Sequence, residues 1–363
     1  MSVPTKIQAW QMVEPGKPAE KLPGKLERVT IDVPELQAGE ALVKVAGCGV
    51  CHTDVGYFYD GVPTVSKPPL TLGHEVSGTV VAGDAALVGK EVIVPAVMPC
   101  NKCDICASGR GNRCIAQKMP GNSMGIYGGF ADYMPVPAED LCIISDRKGI
   151  PLENMAVIAD AVTSPYQAAI RADVKPGDRV IVIGATGGIG VYMTQIVAAL
   201  GATAVVAIAR NKEKLERSLG YGATKAISTL DKDLKGVREE FRAYCKEQKL
   251  PGHGWKIFEC TGGKAGQEIG LDLLSFVGKM IIVGYGMQKV EYMLSRLMAF
   301  DAELIGTWGC LPKYYNDVLK MVLDGKIDLA PFVELRPMSQ ILKSFEESHS
   351  GQLMKRIVLI PDF

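Results

Sequence analysis

Apolar and polar positions change rhythm near residue 151. From Ile7 to about Ile150 the apolar runs are short and β-branched, as in ALVKVAGCGV, VSGTVVAG and KEVIVPAV. They are punctuated at close intervals by Pro34, Gly39, Gly47, Gly73, Gly78, Gly83 and Gly89. Short strands separated by frequent turns predict a β-rich, barrel-like domain. From about Pro151, apolar strands (RVIVIG, AVVAIA, WKIFEC, GKMIIVG) alternate with longer helical stretches (VYMTQIVAAL, KEKLERSLG, QEIGLDLLSF). That alternation predicts a parallel sheet covered by helices. After Trp308 the pattern gives a helix, YYNDVLKMVLDGKI, and a final strand, RIVLIP. The fold class expected is α/β, with no repeat of solenoid length.

Val180 to Ala209 carries no Asp, Glu, Lys or Arg and is long enough to cross a bilayer. It contains GATGGIG, Gln195 and Gly201, however, and glycines so placed break a spanning helix. The stretch reads as a buried β-α-β unit.

Composition narrows the picture. A chain of 363 residues, 47% hydrophobic and 22% charged, excludes bulk disorder and a fibre and suggests two domains. Forty basic and forty acidic residues cancel, so no basic excess points to nucleic acid or an anionic membrane. The first residues, MSVPTKIQAW, lack a charged segment followed by an apolar one, which predicts a cytoplasmic protein. Ten cysteines are present, four of them between residues 100 and 114. Clustered thiols in such a chain point to metal rather than disulfides.

Residues 180–190 read VIVIGATGGIG. A strand runs into Gly184, Gly187, Gly188, Ile189 and Gly190, where a helix begins. Glycines let the backbone approach a pyrophosphate, and the helix N-terminus offers N–H donors. At the end of the next strand an NAD site usually carries Asp or Glu for the ribose 2′-OH. This chain has Ala209 and Arg210 there. Arg210 suits a 2′-phosphate, which leans toward NADP; stacking on the adenine or simple solvation is the alternative. Cys100, Cys103, Cys106 and Cys114, in CNKCDICASGRGNRC, can close a tetrahedron around Zn²⁺ and leave no open position. Such a site staples a lobe and performs no chemistry.

Three more fragments hold ligand-type residues: GVCHTD (Cys51, His52, Thr53, Asp54), GHE (His74, Glu75) and IADAVTSPY (Asp160). Taken with the cysteine lobe and GATGGIG, in this order along essentially the whole chain, they resemble the zinc-dependent, medium-chain alcohol dehydrogenase family. The resemblance implies a GroES-like β-rich catalytic domain (residues 1–160 and 308–363, zinc lobe 98–116), a Rossmann cofactor domain (161–307) and an active site in the cleft between them. It implies two Zn²⁺ per subunit: a catalytic ion on Cys51, His74 and Asp160, and a structural ion on the four cysteines. Asp160 stands where the family commonly has cysteine, and a carboxylate is a harder ligand. By the same resemblance Glu75 is the carboxylate that approaches the metal transiently, and Asp54 orients His74. Thr53 receives the alcohol proton. His52 and Arg356 lie near the pyrophosphate, and Ser164 and Val283 line the nicotinamide pocket. Several relatives carry a relay histidine where this chain has Gly56, so the proton leaves by another route.

Longer strings, SVPTKIQAWQM, GYFYDGVPTV, KPPLTLGHE, PAVMPC and QKMPGNSMGIYGGFADYMPVP, resemble a branch of that family acting on cyclic hydroxyacyl-CoA thioesters in anaerobic aromatic degradation. That branch implies NAD, against the lean of Arg210. Tyr57, Phe58 and Tyr59 either wall a pocket for a six-membered ring or pack the core. The small-molecule substrate is therefore a cyclic hydroxyacyl-CoA or another secondary alcohol. A zinc-free NADPH enone reductase and a non-catalytic cofactor-binding protein are the competing readings. The family's oligomers imply a dimer or tetramer joined through a cofactor-domain edge strand, AELIGTWG.

Overall fold

The structure, a computed structural model, describes residues 4–351 and 353–363. It divides into two compact units, residues 1–163, 309–323 and 328–363, and residues 164–308 and 324–327.

The first unit opens with β1 (Lys6–Glu14), β2 (Lys25–Asp32), β3 (Glu40–Gly49), α1 (His52–Tyr59), β4 (Leu70–Thr71), β5 (Glu75–Ala82) and β6 (Glu91–Val94). A short α2 (Asp104–Ala107) lies within the cysteine segment, followed by β7 (Tyr133–Pro137) and β8 (Cys142–Ile144). A 3-10 turn over Glu153–Ala159 leads to Asp160. The chain leaves this unit at the start of α3 (Thr163–Arg171).

The second unit contains β9 (Arg179–Ile183), α4 (Gly190–Ala199), β10 (Ala204–Ala209), α5 (Lys212–Arg217), β11 (Lys225–Ser228), α6 (Leu234–Glu247) and β12 (Lys256–Glu259). It ends with α7 (Lys264–Leu273), β13 (Lys279–Ile282), α8 (Ser295–Phe300) and β14 (Glu303–Gly306). Back in the first unit follow α9 (Tyr315–Leu323), β15 (Val333–Pro337), α10 (Ile341–His349) and β16 (Arg356–Ile360).

In the first unit β15, β16, β3, β5, β6 and β8 follow one another in a sheet, β7 also pairs with β3, and β2-β1-β4 form a smaller one. β3 is long enough to serve two neighbours on one side, β7 at Glu40–Lys44 and β16 at Cys48–Gly49. That pairing sets Arg356, the first residue of β16, near the end of β3 where Cys51 follows. Val43, Val76, Val92, Phe130 and Leu359 belong to the apolar core of this unit.

The second unit is a six-stranded parallel sheet in the order β11-β10-β9-β12-β13-β14. β9 and β10 are almost wholly buried, as parallel strands covered on both faces must be. Successive strands step away from β9 in one direction through β11 and in the other from β12 through β14. Strand order therefore reverses at the end of β9, where open α/β sheets take their ligands. The charge-free stretch 180–209 is β9, α4 and β10. No helix among the described residues is long and apolar enough to cross a membrane.

Candidate active site and cofactor loop

Cys51 ends the extended run after β3 and caps α1. Its backbone N–H donates to Asp54 Oδ2 at 3.1 Å. Asp54 is fully buried, and its Oδ1 accepts from the backbone N–H of Gly73 at 2.9 Å and sits 3.3 Å from His74 Nδ1. One carboxylate thus fixes the thiol-bearing turn and flanks the neighbouring imidazole. His74 Nε2 lies 3.4 Å from Asp160 Oδ2, and Cys51 Sγ lies 3.8 Å from the same oxygen. Thr53 Oγ1 is 3.6 Å from Cys51 Sγ. His52, the first residue of α1, is exposed.

These atoms fit a zinc ion. The ligand atoms of Cys51, His74, Glu75 and Asp160 all lie within 4.8 Å of one another. Tetrahedral zinc, with Zn–N and Zn–O near 2.1 Å and Zn–S near 2.3 Å, separates N from O by ~3.4 Å and S from O by ~3.6 Å. Both ring nitrogens of His74 are buried without a hydrogen-bond partner among the described residues. Burial pulls the His74 pKa down, but Asp54 and Asp160 outweigh it and hold the imidazole well above its ordinary value.

Glu75 is fully buried at the start of β5. Arg356 grips its carboxylate with two nitrogens, Nε to Oε2 at 2.7 Å and Nη2 to Oε1. Burial pushes the Glu75 pKa up to about 7 against the pull of Arg356. A Cβ at Gly49 would stand 2.1 Å from Glu75 Oε2, so glycine at the end of β3 is what lets the carboxylate tuck back toward the arginine. Resemblance sends Arg356 to a pyrophosphate; the structure commits two of its nitrogens to Glu75.

The four lobe cysteines also converge. Cys103 Sγ is 3.5 Å from Cys106 Sγ and 3.7 Å from Cys114 Sγ. A tetrahedral Zn–S₄ cage with 2.3 Å bonds has S···S edges of ~3.8 Å. The backbone N–H groups of Cys100 and Ala116 donate to Cys114 Sγ. Backbone donation brings Cys100 down to about 6, whereas burial and the neighbouring sulfurs push Cys106 up to about 12. Four sulfurs so close do not all ionise without a cation. All ten cysteines are free thiols, in line with a metal cage rather than disulfides.

In the second unit Gly184, Gly187, Gly188, Ile189 and Gly190 form the turn from β9 to α4, with Gly187 and Gly188 exposed at its crest. A Cβ at Gly190 would lie 2.0 Å from the Gly184 carbonyl oxygen, so a side chain there would break the turn. Arg210 is exposed just past β10, and Asn211 beside it caps α5 through Lys214 N–H. No carboxylate occupies positions 209–211. Val283 N–H donates to the Glu259 carbonyl, and Ser164 is buried near the start of α3.

Several residues of these sites escape sequence reading. Glu259, buried at the end of β12, accepts from the N–H groups of Thr261 and Gly262. Tyr57 Oη accepts from Asn122 Nδ2 at 2.6 Å, while Asn122 Oδ1 accepts from Val65 N–H. Tyr315 Oη accepts from Ala96 N–H and donates to the Ala159 carbonyl. The partners of Tyr57 and Tyr315 are distant in sequence, so no local spacing marks those pairs, whereas Glu259 closes a local turn. Of the three aromatics after Cys51, Phe58 is core: it meets Tyr59 and Phe345 edge-on, and Tyr59 stacks on His349.

Residues 37–146 match the family model described as alcohol dehydrogenase GroES-like domain. Residues 188–324 match the model described as zinc-binding dehydrogenase. An alcohol dehydrogenase of Geobacillus stearothermophilus is 28% identical over 348 residues, covering 94% of this chain and 98% of that enzyme. A sorbitol dehydrogenase of Bombyx mori is 26% identical, covering 90% and 93%. Among solved structures, a thermostable alcohol dehydrogenase from Pyrobaculum aerophilum superposes with a TM-score of 0.81 at 25% identity, covering 98% of this chain and all of that one.

Proposed function

Because the chain belongs to the zinc-dependent, medium-chain alcohol dehydrogenases, we propose that it oxidises 6-hydroxycyclohex-1-ene-1-carbonyl-CoA, a cyclic allylic secondary alcohol, to the 6-oxo ketone with NAD⁺. Family membership carries the general activity, an oxidoreductase acting on CH–OH with zinc and a nicotinamide dinucleotide. The observation that supports the site is the sulfur, nitrogen and oxygen donor set of Cys51, His74 and Asp160 at coordination spacing. When bound, zinc supplies Lewis acidity that eases loss of an alcohol proton, and the nicotinamide supplies a hydride acceptor.

The chain's own residues do the rest. Cys51, His74 and Asp160 hold the catalytic ion, and Cys100, Cys103, Cys106 and Cys114 hold the structural one. Asp54 fixes the His74 ring, and Glu75 waits beside the ligands under the hold of Arg356. Thr53 takes the alcohol proton from its place beside Cys51. The turn from Gly184 to Gly190 cradles the pyrophosphate, and His52 and Arg356 are assigned to the same group by resemblance alone. Ser164 and Val283 bound the nicotinamide, and Arg210 lies at the adenosine end. Ala209 and Arg210, in place of a ribose-binding carboxylate, lean toward NADP.

The choice of alcohol rests on the long strings around residues 2–12, 56–75 and 117–137. Relatives named for simple alcohols and sorbitol at 26–28% identity leave it open. The product is a conjugated ketone, which favours oxidation. Steady-state assays should give the CoA thioester a kcat/KM at least ~100-fold above the free cyclohexenol, about 2.7 kcal/mol drawn from contacts to the CoA. Equal values would overturn the CoA assignment and leave a broad secondary-alcohol dehydrogenase. We further propose a homo-oligomer, dimer or tetramer, built along the β14 edge.

A further inference from the structure

Asp160 is a short ligand. Two side-chain torsions separate its carboxylate from the backbone, so the backbone decides whether Oδ2 reaches His74 and Cys51. The backbone here is unusual. The 3-10 turn ends at Ala159, and Asp160 leaves it at φ −141° and ψ −55°.

The peptide joining the two residues is planar. Whatever orients the Ala159 carbonyl therefore orients the N–Cα bond of Asp160. Two hydroxyls hold that carbonyl. Thr163 Oγ1 donates to it from 3.1 Å, and Tyr315 Oη donates to it from α9. The Tyr315 oxygen in turn accepts from Ala96 N–H at 3.0 Å. Tyr315 is 1% exposed, and Thr163 and Ala159 are wholly buried. A buried phenol needs only one partner to be satisfied. This one meets two backbone groups, one of them in the peptide that precedes a proposed metal ligand. Burial, with the Cys310 thiol nearby, pushes the phenol well above its ordinary pKa, so it stays a neutral donor.

We infer that Tyr315 is the positioning residue for Asp160: its hydroxyl, together with that of Thr163, clamps the Ala159 carbonyl and so sets the Asp160 carboxylate at coordinating distance. The inference rests on Asp160 being a ligand of the catalytic ion, as proposed above. Tyr315 is not among the proposed ligands, and its effect passes through the backbone of another residue.

The test is Tyr315→Phe, which keeps the ring and removes the hydroxyl, read by zinc release to a chromogenic chelator. Purified wild-type protein should release two zinc equivalents in separable phases. In Tyr315→Phe the phase from the Asp160 site should quicken about tenfold, the scale on which supporting partners tune metal ligands, while the four-cysteine phase stays put. Cobalt placed in the Asp160 site should show shifted visible bands. Should Tyr315→Phe fail to fold, Thr163→Val removes the other donor and should quicken the same phase, and Thr163→Ser should restore it. Unchanged release and unchanged cobalt bands in these variants would overturn the inference, as would equal quickening of both phases with a lowered Tm, the mark of general loosening. A wild-type protein holding only the four-cysteine zinc would overturn the ligand reading itself.

Discussion

At the residue scale the chemistry concentrates in a few side chains with unequal tasks. Cys51 and His74 are bound into a buried lattice through Asp54. They stand in the first unit, whereas the glycine turn belongs to the second. Cys51→Ser and His74→Ala should therefore lower kcat/KM by roughly 10³-fold, the equivalent of ~4 kcal/mol of lost Lewis-acid stabilisation. The Kd for the dinucleotide, read by fluorescence titration, should change little. Near-normal turnover in Cys51→Ser would contradict the assignment. The clustering of the proposed ligands Cys51, His74 and Asp160 was legible because each sits in a short string of distinctive residues. Its supports were not: Arg356 reaches Glu75 across 281 positions and Tyr315 reaches Ala159 across 156. Nothing within a sequence window marks such pairs, because only the folded core brings them together.

At the scale of elements, the turn from β9 to α4 is the part most tightly specified by its sequence. The strand is buried, the crest is exposed, and the close approach at Gly190 leaves no room for a methyl group. Gly190→Ala should weaken dinucleotide binding by about tenfold or more, since the backbone shift withdraws N–H donors from the pyrophosphate. Isothermal titration would detect it, and zinc content should stay at the wild-type value. Unaltered binding would show that the turn does not carry the cofactor. Other elements were less legible. α1 begins inside GVCHTD, where ligand-type residues draw attention away from a helix capped by Cys51. α6 buries Val237, Phe241, Tyr244 and Cys245 at helical spacing, but its many charges mask the stripe. α10 and β15 lie after the last helix that periodicity singled out, and β15 forms by pairing with β16, a long-range event.

At the scale of the whole molecule, the second unit ends in an open strand. β14 is the last strand of its sheet, and its residues are largely exposed. Tyr285, Met287, Met293, Leu294, Met298 and Leu304 in the same stretch of chain are also exposed. An exposed strand edge with apolar side chains is a template for pairing with another chain, and a second copy offers the same edge. Ile305→Pro should dissociate the assembly, because proline removes a strand donor. Sedimentation velocity should show a dimer or tetramer in the wild type and a smaller species in the variant; a wild-type monomer would contradict the proposal.

We propose that one chain carries two chemically different zinc sites, a closed cage of four sulfurs and an open site of one sulfur, one nitrogen and one carboxylate oxygen. Elemental analysis of freshly purified, active protein distinguishes this from a single-zinc protein. Two zinc ions per chain in the wild type, falling to one in Cys51→Ser along with activity, is the predicted result. A fully active wild-type protein with a single zinc, retained undiminished in Cys51→Ser, would contradict it.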